Sequence, residues 1–259
     1  MHTWQWKYWG ESPYLTCSLL KDWQHGFFSR SFWPQPPEQL TTVLSVQAQP
    51  FRSYQVHGDV VLNTSDVAQH APTEDDPYPK ADGLVSEANC QAVWVCSADC
   101  NPVLVADCQT GKVAAVHAGW RGTALKVLPA AVAKLQRQGS HLANLRVAMG
   151  PAIAGSVYQV SIQVAAQVGA TITAQSFECQ ADLIAYLQNQ ENPPILSDPK
   201  PDRARLDVRR VNAIQLEQLG LHPEQVAIAP YCTYQVPERF FSYRRSKEKK
   251  VQWSGIVSQ

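Results

Sequence analysis

Short apolar runs of strand composition fill the first half of this chain, and Ala- and Leu-rich helical periods fill much of the second. Alternating or β-branched runs predict strands over residues 3–9, 14–20, 43–47, 54–62, 91–96, 102–107, 112–117, 144–149, 226–230 and 251–257. Helical spacing predicts helices over 123–138, 161–170, 179–190 and 204–219. Thr123 reads as the N-cap of the first, and Pro129 marks either a kink or that helix's true start. Two stretches read as loops. In 63–82, Pro72, Pro77 and Pro79 flank the acidic Glu74-Asp75-Asp76, and 192–202 is again proline-rich. Neither has the composition of a long flexible linker, so one domain over residues 1–259 is expected. Hairpins first and helices later predict an α+β fold with mixed or antiparallel sheets.

The opening Trp4-Gln5-Trp6-Lys7-Tyr8-Trp9 alternates aromatic and polar side chains, as a strand lying on a core does. It lacks the charged start and apolar run of a signal peptide, and no segment approaches the apolar length that spans a bilayer. The 22 basic and 22 acidic residues cancel with no basic stripe, which argues against a nucleic-acid partner. Seven cysteines, an odd number, argue against a disulfide scaffold and for a reducing, cytoplasmic address.

Candidate chemistry gathers at one hairpin. Pro102–Ala106 and Val113–Val116 are strand-like runs separated by the turn composition Asp107-Cys108-Gln109-Thr110-Gly111-Lys112. A turn centred between Cys108 and Gln109 sets Cys100 against His117, opposite or diagonal, at roughly 5–8 Å between Cβ atoms. That separation suits two ligands of one metal, or a thiol and its base. Gln55-Val56-His57-Gly58 supplies a third donor. Two imidazoles and a thiolate are a set that zinc accepts, with a fourth position left for water or substrate. The same pair without metal would suit a Cys–His hydrolase. His117-Ala118-Gly119-Trp120-Arg121-Gly122 leads into a helix, and its glycines, helix start and Arg121 favour an anion such as phosphate.

These segments carry a resemblance. Gln55-Val56-His57-Gly58, Ala81-Asp82-Gly83-Leu84-Val85, Ala98-Asp99-Cys100-Asn101-Pro102, His117-Ala118-Gly119-Trp120-Arg121-Gly122 and Gly150-Pro151-Ala152-Ile153 occur in order, followed by Leu206-Asp207-Val208-Arg209, Cys232-Thr233-Tyr234 and Phe241-Ser242-Tyr243-Arg244-Arg245. Together they closely resemble the laccase-domain family, also called multicopper polyphenol oxidoreductases and purine nucleoside phosphorylases. The match spans roughly residues 25 to 257.

The resemblance implies a layered α/β sandwich, with sheets flanked by helices, and a zinc held by His57, Cys100 and His117. It also implies phosphorolysis of adenosine, inosine, guanosine and S-methyl-5′-thioadenosine, with adenosine deamination beside it. Purine nucleoside and phosphate are then the partners, and monomer and homodimer both stay open. Arg30, in His25-Gly26-Phe27-Phe28-Ser29-Arg30, matches a family arginine near the substrate; with Arg121 and Arg244 it is a candidate to hold phosphate. The chain departs from the family pattern at Ser31–Pro37, at Gln159 where glutamate is usual, and at Lys250-Val251 where a Gly-Arg pair is usual. Copper could occupy the same nitrogen and sulfur donors. A multicopper oxidase, however, commonly supplies its ligands through H-x-H pairs, and none of the seven histidines is so spaced. A nucleoside-binding protein without turnover is the non-enzymatic alternative.

Overall fold

In a computed structural model describing residues 2–259, two six-stranded sheets lie face to face and a three-stranded sheet stands beside them. The first sheet runs in the order Trp4–Trp9, Ser12–Cys17, His25–Phe28, Gln252–Val257, Gln91–Ser97, Gln49–Phe51. The second runs Val226–Ile228, Leu145–Met149, Asn101–Asp107, Val113–Ala118, Gly83–Val85, Val61–Asn63. Both are mixed, because Gln49–Phe51, Val226–Ile228 and Val61–Asn63 each join an otherwise antiparallel ladder in parallel. Helices flank the sheets, which is the α+β layering expected.

Strand periodicity explains the core. Successive side chains point to opposite faces. Leu104, Ala106, Val113 and Ala115 therefore face the first sheet, against Phe27, Val93, Val95 and Ile256. Val103, Val105, Ala114 and Val116 turn the other way, against Leu128, Val132 and Leu135 of helix Val127–Arg137 and Leu216 of helix Val208–Leu219. Strands covered on both faces can be apolar throughout, and each fully buried Val or Leu contributes about 1.5–3 kcal/mol. Beyond the first sheet, helix Pro37–Leu44 covers Phe28 and Trp94 with Leu40 and Leu44, and the Trp94 indole donates to Thr41 Oγ1 at 2.9 Å. The third sheet, Gln159–Ser161, Arg203–Leu206 and Ile195–Ser197, packs with helices Ile162–Gly169 and Gln180–Gln188.

Several elements differ from expectation for local reasons. Residues 43–47 are the end of helix Pro37–Leu44 and its cap, a helix that Pro37 can open because a first-turn N–H has no intrahelical partner. Of 54–62 only Val61 and Leu62 are strand; the rest diverts its backbone donors to a side chain described below. The predicted 123–138 helix is two, Trp120–Ala124 and Val127–Arg137, parted by Lys126 in the left-handed region at φ +61°. Gly119, not Thr123, precedes the first, and Pro129 falls in the first turn of the second, where it costs no hydrogen bond. Residues 203–206 form a strand, and the next helix starts at Val208, where the Asp207 side chain accepts from Arg210 N–H. Within the expected loops lie helix Thr64–Ala68 and strand Ile195–Ser197.

Candidate metal centre

The hairpin register pairs Pro102 with His117, so the turn is centred one residue later than symmetry about Cys108 and Gln109 predicts. Cys100 thus lies diagonal to His117, two residues from its direct partner, and on the same face of the sheet. His57 arrives from the irregular segment before Val61–Asn63. The Sγ of Cys100 and one ring nitrogen from each of His57 and His117 all lie within 4.8 Å of one another. The two imidazole rings stand edge to face, 4.8 Å between centroids. His117 is buried, Cys100 half-buried and His57 exposed, so the group opens to solvent on the His57 side.

One carboxylate ties down both histidines, His117 by its ring and His57 by its backbone. Asp82, fully buried, accepts backbone N–H from Val56 at 3.1 Å, His57 at 2.9 Å and Gly58 at 2.7 Å. Those bonds hold His57 at φ +61°. Asp82 Oδ1 also accepts from His117 Nδ1 at 2.8 Å, which fixes the tautomer and leaves Nε2 as the ligating atom. Burial opposes the charge on Asp82, but His117 and the Gly58 and Val56 backbone donors outweigh it and hold the carboxyl below its usual range. Within Ala81-Asp82-Gly83 nothing in the sequence alone assigns Asp82 this role. The signal was an acid set among apolar neighbours, where a charge persists only with partners.

Cys100 is built in from its other side. Asp99, at φ +105°, accepts from Thr233 Oγ1 and from Arg244 N–H, each at 2.7 Å, and its carbonyl accepts from Ile153 N–H at 2.9 Å. A Cβ on Gly119 would stand 2.8 Å from Cys100 Sγ and 3.3 Å from His57 Cδ2, so only glycine leaves room for the thiol there. Burial resists a thiolate at Cys100, yet the His117 charge and hydrogen bonds from both imidazoles pull its pKa down. The Cys100 thiolate and Asp82 in turn push His117 up against its burial. A polarised thiolate, two imidazoles and a carboxylate behind one of them are the donor chemistry of a three-ligand zinc site, and copper is compatible with it. It is the one such group among the described residues.

The open side of the group faces a cavity of about 530 Å³, with Trp120, Arg121, Tyr158, Arg244, Lys249 and Lys250 in its walls. The Arg121 guanidinium lies over Trp120 at 4.5 Å. The Arg244 guanidinium lies over Tyr158 at 4.8 Å and donates to the Gln159 carbonyl at 2.8 Å. Arg30 does not line this cavity: its guanidinium rests over Phe241 at 4.7 Å and donates to the Pro237 carbonyl at 2.7 Å. The sequence departures fall close by. Lys250, ion-paired with Glu248 at 2.8 Å, and Val251 line the cavity, and Trp33 packs edge-on against Phe241. The Gln159 side chain turns away and donates to Asp198 at 2.9 Å, a bond that a glutamate could not make.

Known proteins match this chain over most of its length. A purine nucleoside phosphorylase of Synechocystis sp. is 51% identical over 256 residues, covering 98% of this chain and 97% of that one. One of Streptomyces coelicolor is 36% identical over 74% of this chain and 68% of its own. An adenosine deaminase of an unknown prokaryotic organism is 28% identical over 63% of this chain and 56% of its own. The crystal structure of YlmD from Geobacillus stearothermophilus shares the fold, with a TM-score of 0.77 at 22% identity and 98% of each chain covered. The family described as multi-copper polyphenol oxidoreductase laccase matches residues 36–257. With that span matched, the chain belongs to the laccase-like multi-copper polyphenol oxidoreductase family.

Proposed function

We propose that this chain is a single-domain, zinc-dependent purine nucleoside phosphorylase of the cytoplasm. Its substrates would be adenosine, inosine, guanosine and S-methyl-5′-thioadenosine, with adenosine deamination as a second activity. The observation that carries the reading is the opening of the His57–Cys100–His117 group onto a cavity walled by cations and aromatic rings.

His57, Cys100 and His117 would hold the metal, with Asp82 orienting the His117 ring and fixing the His57 backbone. When bound, zinc supplies Lewis-acid chemistry at an oxygen. In phosphorolysis, phosphate attacks the anomeric carbon while the purine leaves, so the protein must orient a polyanion beside a cation-like centre. Arg121 and Arg244 are the cavity's guanidiniums, and among the described residues neither is neutralised by a carboxylate within salt-bridge distance. Both would grip phosphate, with Arg244 pre-aligned by Gln159 and by the Asp99 bond to its own backbone. Arg30, held over Phe241 outside the cavity lining, would not touch phosphate directly in this arrangement.

The Cys100–His117 pair would also serve a metal-free Cys–His hydrolase. The placement of His57 beside them favours metal binding, because a thiol and its base need no third donor within 4.8 Å. Chromatography of zinc-loaded protein incubated with adenosine tests the proposal. Adenine and ribose 1-phosphate formed only with phosphate support it, and inosine adds the deaminase. Adenine formed equally without phosphate contradicts it.

A further inference from the structure

Tyr158 is a hydrogen-bond donor in this cavity to which no role has been given. It closes the turn Gly155–Val157, its N–H donating to the Gly155 carbonyl at 3.2 Å while its own carbonyl accepts from Leu206 N–H at 3.1 Å. Its ring packs on the core of the three-stranded sheet, with the Arg244 guanidinium over one face. The side chain is thus held from both ends of its backbone and from one side of its ring. Its hydroxyl makes no side-chain hydrogen bond among the described residues, although the ring lines the cavity. Burial pushes the phenol further above its already high ordinary pKa, so it stays an O–H donor at neutral pH.

Phosphorolysis develops negative charge on the departing purine, and some group must meet it. Most other polar groups of the cavity are committed, and the Ser97 hydroxyl, though it has no partner among the described residues, is buried out of a ligand's reach. Asp99 accepts from Thr233 and Arg244, and Glu248 is paired with Lys250. Both amide atoms of Gln55 are bonded to the Cys96 backbone. His57 and His117 belong to the metal set, and Arg121 and Arg244 are the phosphate grip. Lys249 and Tyr243 are exposed at the mouth, on flexible or half-exposed side chains. Tyr158 alone among these is uncommitted, half-buried and rigidly mounted.

We propose that the Tyr158 hydroxyl donates a hydrogen bond to the purine as it leaves, and so acts as a catalytic residue for the leaving group. The inference rests on the phosphorylase reading above. The C1′–N9 bond breaks with its electron pair passing to the purine, and a phosphate oxygen forms the new C1′–O bond. The proton that hydrogen phosphate loses ends on the free base. Tyr158 keeps its own proton throughout and disperses the charge in the interval.

Tyr158→Phe keeps the ring and its stack with Arg244 and removes only the hydroxyl. Compared with wild type, it should lower kcat for inosine on the order of 100-fold, with KM little changed. On 7-methylguanosine, whose base departs neutral and needs no donor, the loss should largely vanish. Equal losses on both substrates, or none on inosine, would overturn the inference while leaving the phosphorylase reading intact. A wild-type protein that cleaves neither nucleoside in the presence of phosphate would overturn both. Zinc content equal in the two proteins separates the hydroxyl's effect from damage to the metal centre.

Discussion

Asp82→Asn keeps the side chain's shape but removes the charge on which His117 leans, and it places an amide where three backbone N–H groups now point at carboxylate oxygens. Either oxygen lost to an NH₂ faces a donor with a donor. The variant should bind zinc about 10–100-fold more weakly, measured by competition with a chromogenic chelator. Affinity equal to wild type would show that the histidines need no such support. The clustering of the three donors was legible in the sequence because Cys and His are rare and chemically explicit, and the hairpin's turn composition set two of them close together. Asp82 was not, because its role depends on backbone donors some 25 residues away that no local pattern announces. Arg30 illustrates the reverse: the residue type and motif were plain, but its direction depends on Phe241 and Pro237, far along the chain.

Among the elements, those with many same-type neighbours in sequence were legible, and those built for a partner were not. Asn101–Asp107 and Val113–Ala118 are long, apolar and joined by turn residues, so their pairing followed, and its one-residue offset did not disturb the shared face of Cys100 and His117. Three-residue strands such as Gly83–Val85 carry too few side chains for a period and exist because neighbouring strands accept them. The four-residue strand His25–Phe28 is nearly as short, and it carries a titratable anchor. His25 Nε2 accepts from Cys17 N–H at 2.9 Å while Nδ1 donates to the Trp23 carbonyl at 2.9 Å, so the folded ring is neutral. Burial, opposed in part by that Trp23 bond, pushes its pKa down to about 4 from an ordinary 6.5. Between those values the unfolded chain binds the extra proton, so stability falls as pH drops from 6.5 towards 4. The loss reaches roughly 3 kcal/mol below the window. His25→Gln offers Cys17 an acceptor that does not titrate there. Urea midpoints across this range should converge between variant and wild type as pH falls, and curves that stay parallel would contradict the assignment.

For the whole molecule, the layering explains where the site sits. Two sheets share the core of Phe27, Val93, Leu104 and Ala115, and the metal donors occupy the point where the central hairpin's apolar run ends and the chain emerges from between them. Buried strands thereby fix Cys100 and His117, while a surface segment tied down by Asp82 brings His57, which lets a rigid pair and an exposed donor meet. The α+β layering was legible from the order of hairpins and helices. The split of the sheet elements into two facing sheets and one lateral sheet was not, since periodicity tells which face of a strand is apolar but not what lies across from it. Under the proposed function, these three donors would hold a metal on which nucleoside phosphorolysis depends. Metal-free protein titrated with zinc, with phosphate-dependent release of adenine from adenosine as the readout, tests it most directly. Activity should rise linearly and stop at one equivalent of zinc per chain, and Cys100→Ala should show no such rise. Full activity in the metal-free protein, or an unchanged titration in Cys100→Ala, would contradict the account.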